Sequence, residues 1–386
     1  MPLIPRHFGS RLKALLSQFP AVCILGARQC GKTTFAKLSL PDWRYLDLEK
    51  PSDLVKIEAS PGEALTRWGG QIIFDEAQRF PELFPLLRSL IDEKRDENGR
   101  FVLLGSASFS LIKNISESLA GRIGFLDMTP LQADEVSSWE SLWIHGGFPK
   151  AFLEEDPSRR NEWFEGYLRT FIERDLGQLG LQVSAPQMRQ LCQMVSHLHG
   201  GILNASELGS SLGVNYHTVN RYIDILEQTY LVRRLRPYFR NIGKRLVKSP
   251  KIYIRDTGLL HHLLNINSDS DLEGHPKRGM SWEGFVIEQI TGWLSLNSPG
   301  TQIYYWRTAT NQEADLLLEK GQKIIPIEIK IQTAPRRDDI HGLFSCMADL
   351  QLKQGYVIRP RGERYPLSKE IEVLTLHELL TETLPI

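Results

Sequence analysis

The sequence predicts an α/β chain of more than one domain, with a parallel sheet first and a smaller α/β body last. Three stretches carry that expectation. Residues 21–36, AVCILGARQCGKTTFA, run from an apolar strand through a glycine-bounded loop into a helix start. Residues 205–228, ASELGSSLGVNYHTVNRYIDILEQ, hold two helical periodicities broken at a glycine. Residues 325–332, IPIEIKIQ, alternate isoleucine with Pro326, Glu328, Lys330 and Gln332, the period of a strand with one apolar and one polar face.

Length and composition set the limits. At 386 residues the chain exceeds one simple core, and two or three domains are expected. It is 41% hydrophobic and 24% charged, a globular balance that argues against disorder. Lysine plus arginine equals aspartate plus glutamate at 46 each, so a nucleic-acid partner would have to meet a local patch. Cys23, Cys30, Cys192 and Cys346 show neither paired nor zinc-like spacing, which fits a reducing compartment. The opening stretch MPLIPRHFGSRLKALLSQFP has no long apolar core. Neither a signal peptide nor a membrane anchor is expected, and a prokaryotic cytoplasm is the default location.

In the first third, Gly26-x4-Gly31-Lys32-Thr33 matches a phosphate-binding loop, and its strand–loop–helix context outweighs a chance match. Gly26, Ala27, Arg28, Gln29, Cys30 and Gly31 would turn backbone N–H groups toward phosphate oxygens. The helix start at Lys32, Thr33 and Thr34 adds a positive dipole end. Lys32 would reach the β- and γ-phosphates of ATP, and Thr33 would give a hydroxyl to Mg²⁺. A second apolar strand, QIIFDEAQ at 71–78, ends in Asp75 and Glu76. Asp75 would hold the Mg²⁺ water shell, and Glu76 would polarise the attacking water.

A third strand, FVLLGSAS at 101–108, ends near Ser106, which is either a γ-phosphate sensor or a helix cap. Arg122, in SLAGRIG at 118–124, is either a surface arginine or an arginine finger serving a neighbouring subunit. The second reading requires a homo-oligomer.

The middle of the chain has the cadence of a helix-turn-helix. Leu208 and Leu212 face a core, Gly209 permits close helix approach, Gly213 permits the turn, and Val214, Val219 and Tyr222 carry the apolar face onward. Asn215, Tyr216, His217, Asn220 and Arg221 are of types suited to bases or phosphates. The adjoining LVRRLRPYFRNIGKRLVKSPK, 231–251, carries Arg233, Arg234, Arg236, Arg240, Lys244, Arg245, Lys248 and Lys251 with no acidic residue. It reads either as a wing gripping a DNA backbone or as a solvated face beside a packing module.

Near the C-terminus, ADLLLEKGQKIIPIEIK reads as two strands joined at a tight turn. If Gly321 and Gln322 form that turn, Asp315 falls opposite Glu328, with Cβ atoms roughly 5 Å apart. Lys330 then shares their face. Two carboxylates that close repel unless something neutralises them, and a divalent cation with oxygen ligands, Mg²⁺ or Mn²⁺, is the usual answer. Lys330 would then orient the attacking water and stabilise charge on phosphorus. The alternative is an ion-paired strand, and a slip of one residue would part the carboxylates.

These segments, with HGGFP at 145–149, YLRTFIERDL at 167–176 and IYIRDTGLL at 252–260, together resemble a family of prokaryotic AAA+-like ATPases. That family carries a C-terminal domain of unknown function whose core resembles PD-(D/E)XK nucleases. The resemblance spans nearly the whole chain. It implies a RecA/AAA-like P-loop sheet over 1–150, a helical lid or linker over 151–190, and a winged helix-turn-helix over 191–250. A restriction-endonuclease-like α/β domain would come next, over 251–386. It also implies Glu283 as a helix carboxylate joining Asp315 and Glu328 as metal ligands, with Lys330 beside them. Ala314 stands where the motif has proline, which removes no ligand. The expectation is a Mg²⁺-dependent ATPase that binds DNA, its nucleotide state controlling engagement, and that carries a metal-dependent nuclease domain. The alternative is a nucleotide-dependent switch or scaffold for a protein partner, with the nuclease-like fold inactive.

Overall fold

The computed structural model describes residues 3–105, 109–178, 184–239, 247–381, 384 and 386. The chain forms two compact units, the first built mainly on residues up to Leu131 and the second on most of residues 132–386. Residues 132–150 group with the second unit, and residues 228–230 with the first.

Five short segments make the first sheet: β1 (Ala21–Leu25), β2 (Arg44–Asp47), β3 (Ile72–Asp75), β4 (Phe101–Gly105) and β5 (Ile123–Asp127). All pair in parallel, in the order β2-β3-β4-β1-β5. Strands β1, β3 and β4 are buried along their whole length, because helices cover both faces of a parallel sheet. That is why each reads in sequence as an unbroken apolar run. Phe74, Phe84, Phe101, Leu103 and Ile115 are among the residues that close the core on the side of helix Leu83–Glu93. In a parallel α/β sheet the carboxyl ends of the strands meet ligands, and the loops after β1 and β3 carry the glycine loop and the Asp75-Glu76 pair.

In the second unit, β6 (Gly201–Ile202), β7 (Val232–Leu235) and β8 (Lys251–Ile254) form an antiparallel sheet ordered β6-β8-β7. Helices Ala185–Leu198, Ala205–Leu212 and Tyr216–Gln228 accompany it. Gly213 ends the second of these in a left-handed conformation at φ 68°. A Cβ on Gly209 would meet Val214 O at 2.7 Å, so glycine permits the tight approach expected there. The boundary expected between 250 and 251 cuts this sheet, since β8 pairs with both β6 and β7.

The C-terminal part holds β9 (Gln302–Arg307), β10 (Glu313–Lys320), β11 (Lys323–Ile329), β12 (Gly355–Arg359), β13 (Tyr365–Pro366) and β14 (Ile371–Thr375). Their order is β13-β14-β12-β11-β10-β9. The β10–β11 hairpin pairs Lys320 with Lys323 and Leu316 with Ile327, the register expected for a turn at Gly321 and Gln322. Continued by one pair, it sets Asp315 across from Glu328. Strand β11 also pairs in parallel with β12, and helices His341–Leu350 and Arg278–Asn297 lie against it. It is therefore an interior strand. On the polar face of IPIEIKIQ, Pro326 and Glu328 are buried, Glu328 at 5% exposure, while Lys330 is half-buried and Gln332 exposed.

Two of the quoted signatures meet in this unit. Asp256 caps helix Thr257–Leu263, accepting from Leu259 N at 2.9 Å and from Gly147 N at 2.7 Å. A Cβ on Gly146 would lie 2.3 Å from Asp256 Oδ1, and one on Gly258 2.2 Å from His145 O. HGGFP and RDTGLL therefore dock backbone to backbone.

Candidate functional site

Residues 26–31 link β1 to helix Lys32–Ser39, and their shape depends on backbone conformations that L side chains resist. Gly31 sits at φ 102° as the helix N-cap, and Gln29 at φ 61°. A Cβ on Gly26 would meet Met128 O at 2.2 Å. The loop is tied from beneath by Arg6, which sequence reasoning missed. Its guanidinium donates to Cys30 O at 3.0 Å, Thr129 O at 2.8 Å and Pro130 O at 3.0 Å. Cys30 is buried, Arg28 half-buried and Thr34 exposed. Lys32 is 8% exposed, and its Nζ donates to Gly26 O at 2.9 Å and Ala27 O at 2.8 Å. A cationic head curled into a loop of this kind is placed to meet phosphate oxygens.

The carboxylate after β3 reaches this loop. Thr33 Oγ1 donates to Asp75 Oδ2 at 2.6 Å, Tyr45 Oη donates to the same oxygen at 2.8 Å, and Glu76 N donates to Asp75 Oδ1 at 3.0 Å. Hydroxyl and carboxylate converge as a hard oxygen donor pair, which suits Mg²⁺. Glu76 itself has a left-handed backbone, φ 52° and ψ 46°, an uncommon state for a residue with a Cβ. Gln78 Nε2 donates to Glu76 Oε2 at 2.5 Å and fixes its direction. Burial, then the charge of Asp75, pushes the Glu76 carboxyl above the ordinary glutamate range. Tyr45 and Gln78 had no signal of their own in the sequence, since each acts only through contacts made by folding.

Ser106 lies outside the described residues. Arg122 stands at the start of β5, whose Ile123 pairs with Ala21, the first residue of β1. The phosphate loop leaves the other end of β1, so about 16 Å of strand separates the two. Arg122 holds Asp92 with both arms of its fork, Nε to Oδ1 at 2.9 Å and Nη2 to Oδ2 at 3.0 Å.

In the second unit Asp315, Glu328, Glu283 and Lys330 come together, around a residue that sequence reasoning had assigned to a basic wing. Lys251 is 2% exposed. Its Nζ lies 2.9 Å from Glu283 Oε1 and 3.9 Å from Asp315 Oδ1, and pairs with Glu313. Tyr253 Oη donates to Glu283 Oε1 at 2.5 Å. Lys330 Nζ donates to Glu328 Oε1 at 2.6 Å, and Asp315 Oδ2 accepts from Ile329 N at 2.8 Å. Burial, opposed in part by Lys330, pushes the Glu328 carboxyl up to about 7. Burial and then the Glu328 charge push Asp315 well above the carboxylate range. Burial alone would lower the Lys251 ammonium; Glu283 and the neighbouring charges outweigh it and raise it instead. A divalent ion does not fit this arrangement. Among the described residues no three acidic, histidine or cysteine side chains are placed to hold one.

Part of the basic stretch is also engaged within the unit. Arg233 and Arg255 both clamp the buried Glu288, the latter at 2.9 Å. Arg234 pairs with Asp224 at 2.7 Å and with Glu227. Arg236 and Lys248 are exposed, as are Asn215, Tyr216, His217 and Arg221; Asn220 is half-buried. Arg240, Lys244 and Arg245 lie outside the described residues.

A phosphate-type loop after β1, with a carboxylate from β3 bonded to its threonine, marks the first unit as an AAA-type P-loop ATPase. A family profile described as an AAA domain matches residues 18–137. Two domains of unknown function, DUF8612 and DUF4143, match 136–270 and 278–379. The uncharacterized proteins Rv2008c of Mycobacterium tuberculosis and Mb2031c of Mycobacterium bovis are each 42% identical over 381 residues, covering 97% of this chain and 84% of theirs. The chain belongs to the family of these mycobacterial proteins. Among solved structures it is similar to the Walker-type ATPase PABY2304 of Pyrococcus abyssi, with TM-score 0.49, 15% identity, and 68% of this chain and 96% of that chain covered. Among the described residues, no helix is long and apolar enough to cross a membrane.

Proposed function

We propose that the chain hydrolyses ATP with Mg²⁺ and uses the nucleotide state to govern its hold on a macromolecular partner. The bond from Thr33 Oγ1 to Asp75 Oδ2, at 2.6 Å, carries this reading. It brings together the hydroxyl that would ligate Mg²⁺ and the carboxylate that would hold its water shell. Lys32 would neutralise the β- and γ-phosphates, the loop N–H groups would cradle them, and Glu76 would polarise the attacking water. The residues 26–34, with Asp75, are the nucleotide-binding set in this proposal. Bound Mg²⁺ would draw charge off the γ-phosphate oxygens.

The test is phosphate release from ATP by the purified chain, with Mg²⁺ and with the ion chelated. Hydrolysis should need Mg²⁺ and fall at least ~100-fold in Lys32→Ala. Equal rates in Lys32→Ala and the wild type would refute the assignment.

The partner is proposed to be a protein rather than DNA. The helix order around β6, β7 and β8 supports a winged-helix reading, within the division into core, lid, winged helix and C-terminal domain. Arg233 and Arg234, however, are engaged by carboxylates of the same unit, and Lys251 is buried. A DNA grip built from this stretch therefore has fewer cations for phosphates than its sequence suggests. The measurement is DNA affinity against salt. A steep fall with rising salt, reduced in Arg236→Ala and Lys248→Ala, would reinstate DNA as the partner.

A further inference from the structure

We propose that the Lys251 ammonium serves as the resident cation of the Asp315–Glu328 cluster, standing where the nuclease resemblance calls for a divalent metal ion. The reading is independent of the nucleotide site.

Position comes first. Of the three carboxylates expected to bind metal, Lys251 Nζ lies 2.9 Å from Glu283 and 3.9 Å from Asp315. A fourth, Glu313, pairs with it as well, and Arg307 meets Glu313 at 3.0 Å. The ammonium is therefore surrounded by carboxylates brought by β10 and by helix Arg278–Asn297, as a metal ion would be. The remaining expected ligand, Glu328, is held by Lys330 at 2.6 Å.

Anchoring comes second. Lys251 lies within β8, paired with Ile202 and Leu235 on the two neighbouring strands. A lysine on a loop could swing aside for an incoming ion; this one, 2% exposed, would have to take its charge through a packed sheet. Its departure would also leave the surrounding carboxylates without their counter-charge, which is the costly way to break a buried network.

Charge and coordination come third. Glu283, Glu313, Asp315 and Glu328 face Lys251, Lys330 and Arg307, so the cluster is within one charge of balance. Asp315 Oδ2 already accepts from Ile329 N, and Glu283 Oε1 from Tyr253 Oη. Glu328 Oε2 is buried with no hydrogen-bond partner among the described residues. The cluster instead ties β8 to β10 and to the long helix, an internal staple in place of a catalytic metal.

The test uses the full chain, nucleotide-free and carrying Asp75→Asn to remove the other candidate divalent site. Mn²⁺ binding is followed by the resonance signal of the free ion and by the melting temperature. With Lys251 intact, no Mn²⁺ dependence traceable to Asp315 is expected up to millimolar ion. Lys251→Met should gain Mn²⁺ binding, and adding Asp315→Asn should weaken that gain by roughly tenfold or more. Tight Mn²⁺ binding with Lys251 present, lost in Asp315→Asn, would overturn the proposal. So would a folded Lys251→Met that gains none. Should Lys251→Met fail to fold, the comparison of the Lys251-intact chain with its Asp315→Asn form still decides.

Discussion

Thr33 Oγ1 and Asp75 Oδ2 stand 2.6 Å apart, joining the first turn of the helix after the glycine loop to the carboxyl end of β3. Neither residue is near the other in sequence, and one parallel strand, β4, separates the strands that carry them. Asp75 is 6% exposed, and its partners are that hydroxyl, Tyr45 Oη and the Glu76 N–H. Replacing Asp75 with Asn should lower kcat for ATP hydrolysis by ~100-fold or more, since a metal-holding charge is lost while the shape is kept. Thr33→Ala should act in the same direction. Tyr45→Phe, which removes only an orienting hydroxyl, should cost about tenfold or less. Phosphate release at saturating Mg²⁺ and ATP distinguishes the three.

Glu76 separates binding from hydrolysis. Its carboxyl is aimed by Gln78 rather than by the phosphate loop, and Glu76→Gln preserves side-chain volume. ATP affinity should change little, while hydrolysis falls ~100-fold to ~10,000-fold, as for loss of a general base. Because burial raises its pKa, the acid limb of the pH–rate profile should lie above the ordinary glutamate range. The base is lost on protonation, so activity declines as pH falls through that raised value. A variant with unaltered turnover would remove Glu76 from the mechanism.

How much of the molecule is legible in its sequence depends on the range of the interactions involved. The phosphate loop and the β10–β11 register are local, set by glycines and turn residues a few positions from what they control. The environment of that hairpin is not local. Glu328 is buried because distant helices pack against β11, and the neighbours of Asp315 opposite it include Lys251, from a distant strand that sequence patterning placed in a basic wing. The same error of range affected Arg233 and Arg234. Their run reads as uncompensated positive charge, yet Glu288, Asp224 and Glu227 come from helices on either side in sequence. Polar alternation shows which residues share a face but not what that face meets.

Two buried histidines should make stability depend on acid. His261 Nδ1 donates to Ile144 O at 3.0 Å, while its Nε2 accepts from Ser281 Oγ at 2.8 Å, whose oxygen in turn accepts from Trp143 Nε1 at 3.0 Å. His199 Nδ1 accepts from Ile254 N at 3.0 Å, and its Nε2 donates to Met280 O at 3.1 Å. Each ring is satisfied when neutral, and a second proton would destroy an acceptor. Burial pulls His261 down to about 4 and His199 to about 3. Unfolded histidine titrates near ~6.5, so this stability is whole above that pH and is lost as pH falls toward the folded values. His261 alone should account for ~3 kcal/mol across the window. Urea midpoints between neutral pH and ~pH 4.5 should fall, with a shallower fall in His261→Gln. Parallel curves for the two proteins would exclude His261 as a source.

The docking of HGGFP onto RDTGLL makes two glycines irreplaceable for steric reasons. Gly146 combines φ 80° with a Cβ position 2.3 Å from Asp256 Oδ1, and Gly258 has no room beside His145 O. Gly146→Ala or Gly258→Ala should each destabilise the second unit by ~2 kcal/mol or more, through overpacking and, at Gly146, backbone strain. Gly274→Ala is the control, since a Cβ there meets nothing within 4 Å. Thermal melts of the three variants test the point, and equal melting temperatures would contradict it.

Arg122 offers the last test, because its place in the sheet limits what it can do. It lies at the amino end of β5, away from the phosphate loop of its own chain, so any contact with nucleotide must be made across a subunit interface. Within the chain it is held by Asp92 through two parallel bonds, a geometry that arginine gives up at a cost. With both side chains about one-third exposed, that pair contributes at most ~1 kcal/mol. Arg122→Ala and Asp92→Ala should therefore shift the melting temperature alike and leave turnover per chain nearly unchanged. An arginine finger would behave differently. Arg122→Ala would then lose ~1,000-fold in kcat while Asp92→Ala did not, and turnover per wild-type chain would rise with protein concentration as subunits assemble. Measuring both variants over a range of concentrations separates the roles, because only a residue acting in trans ties activity to assembly.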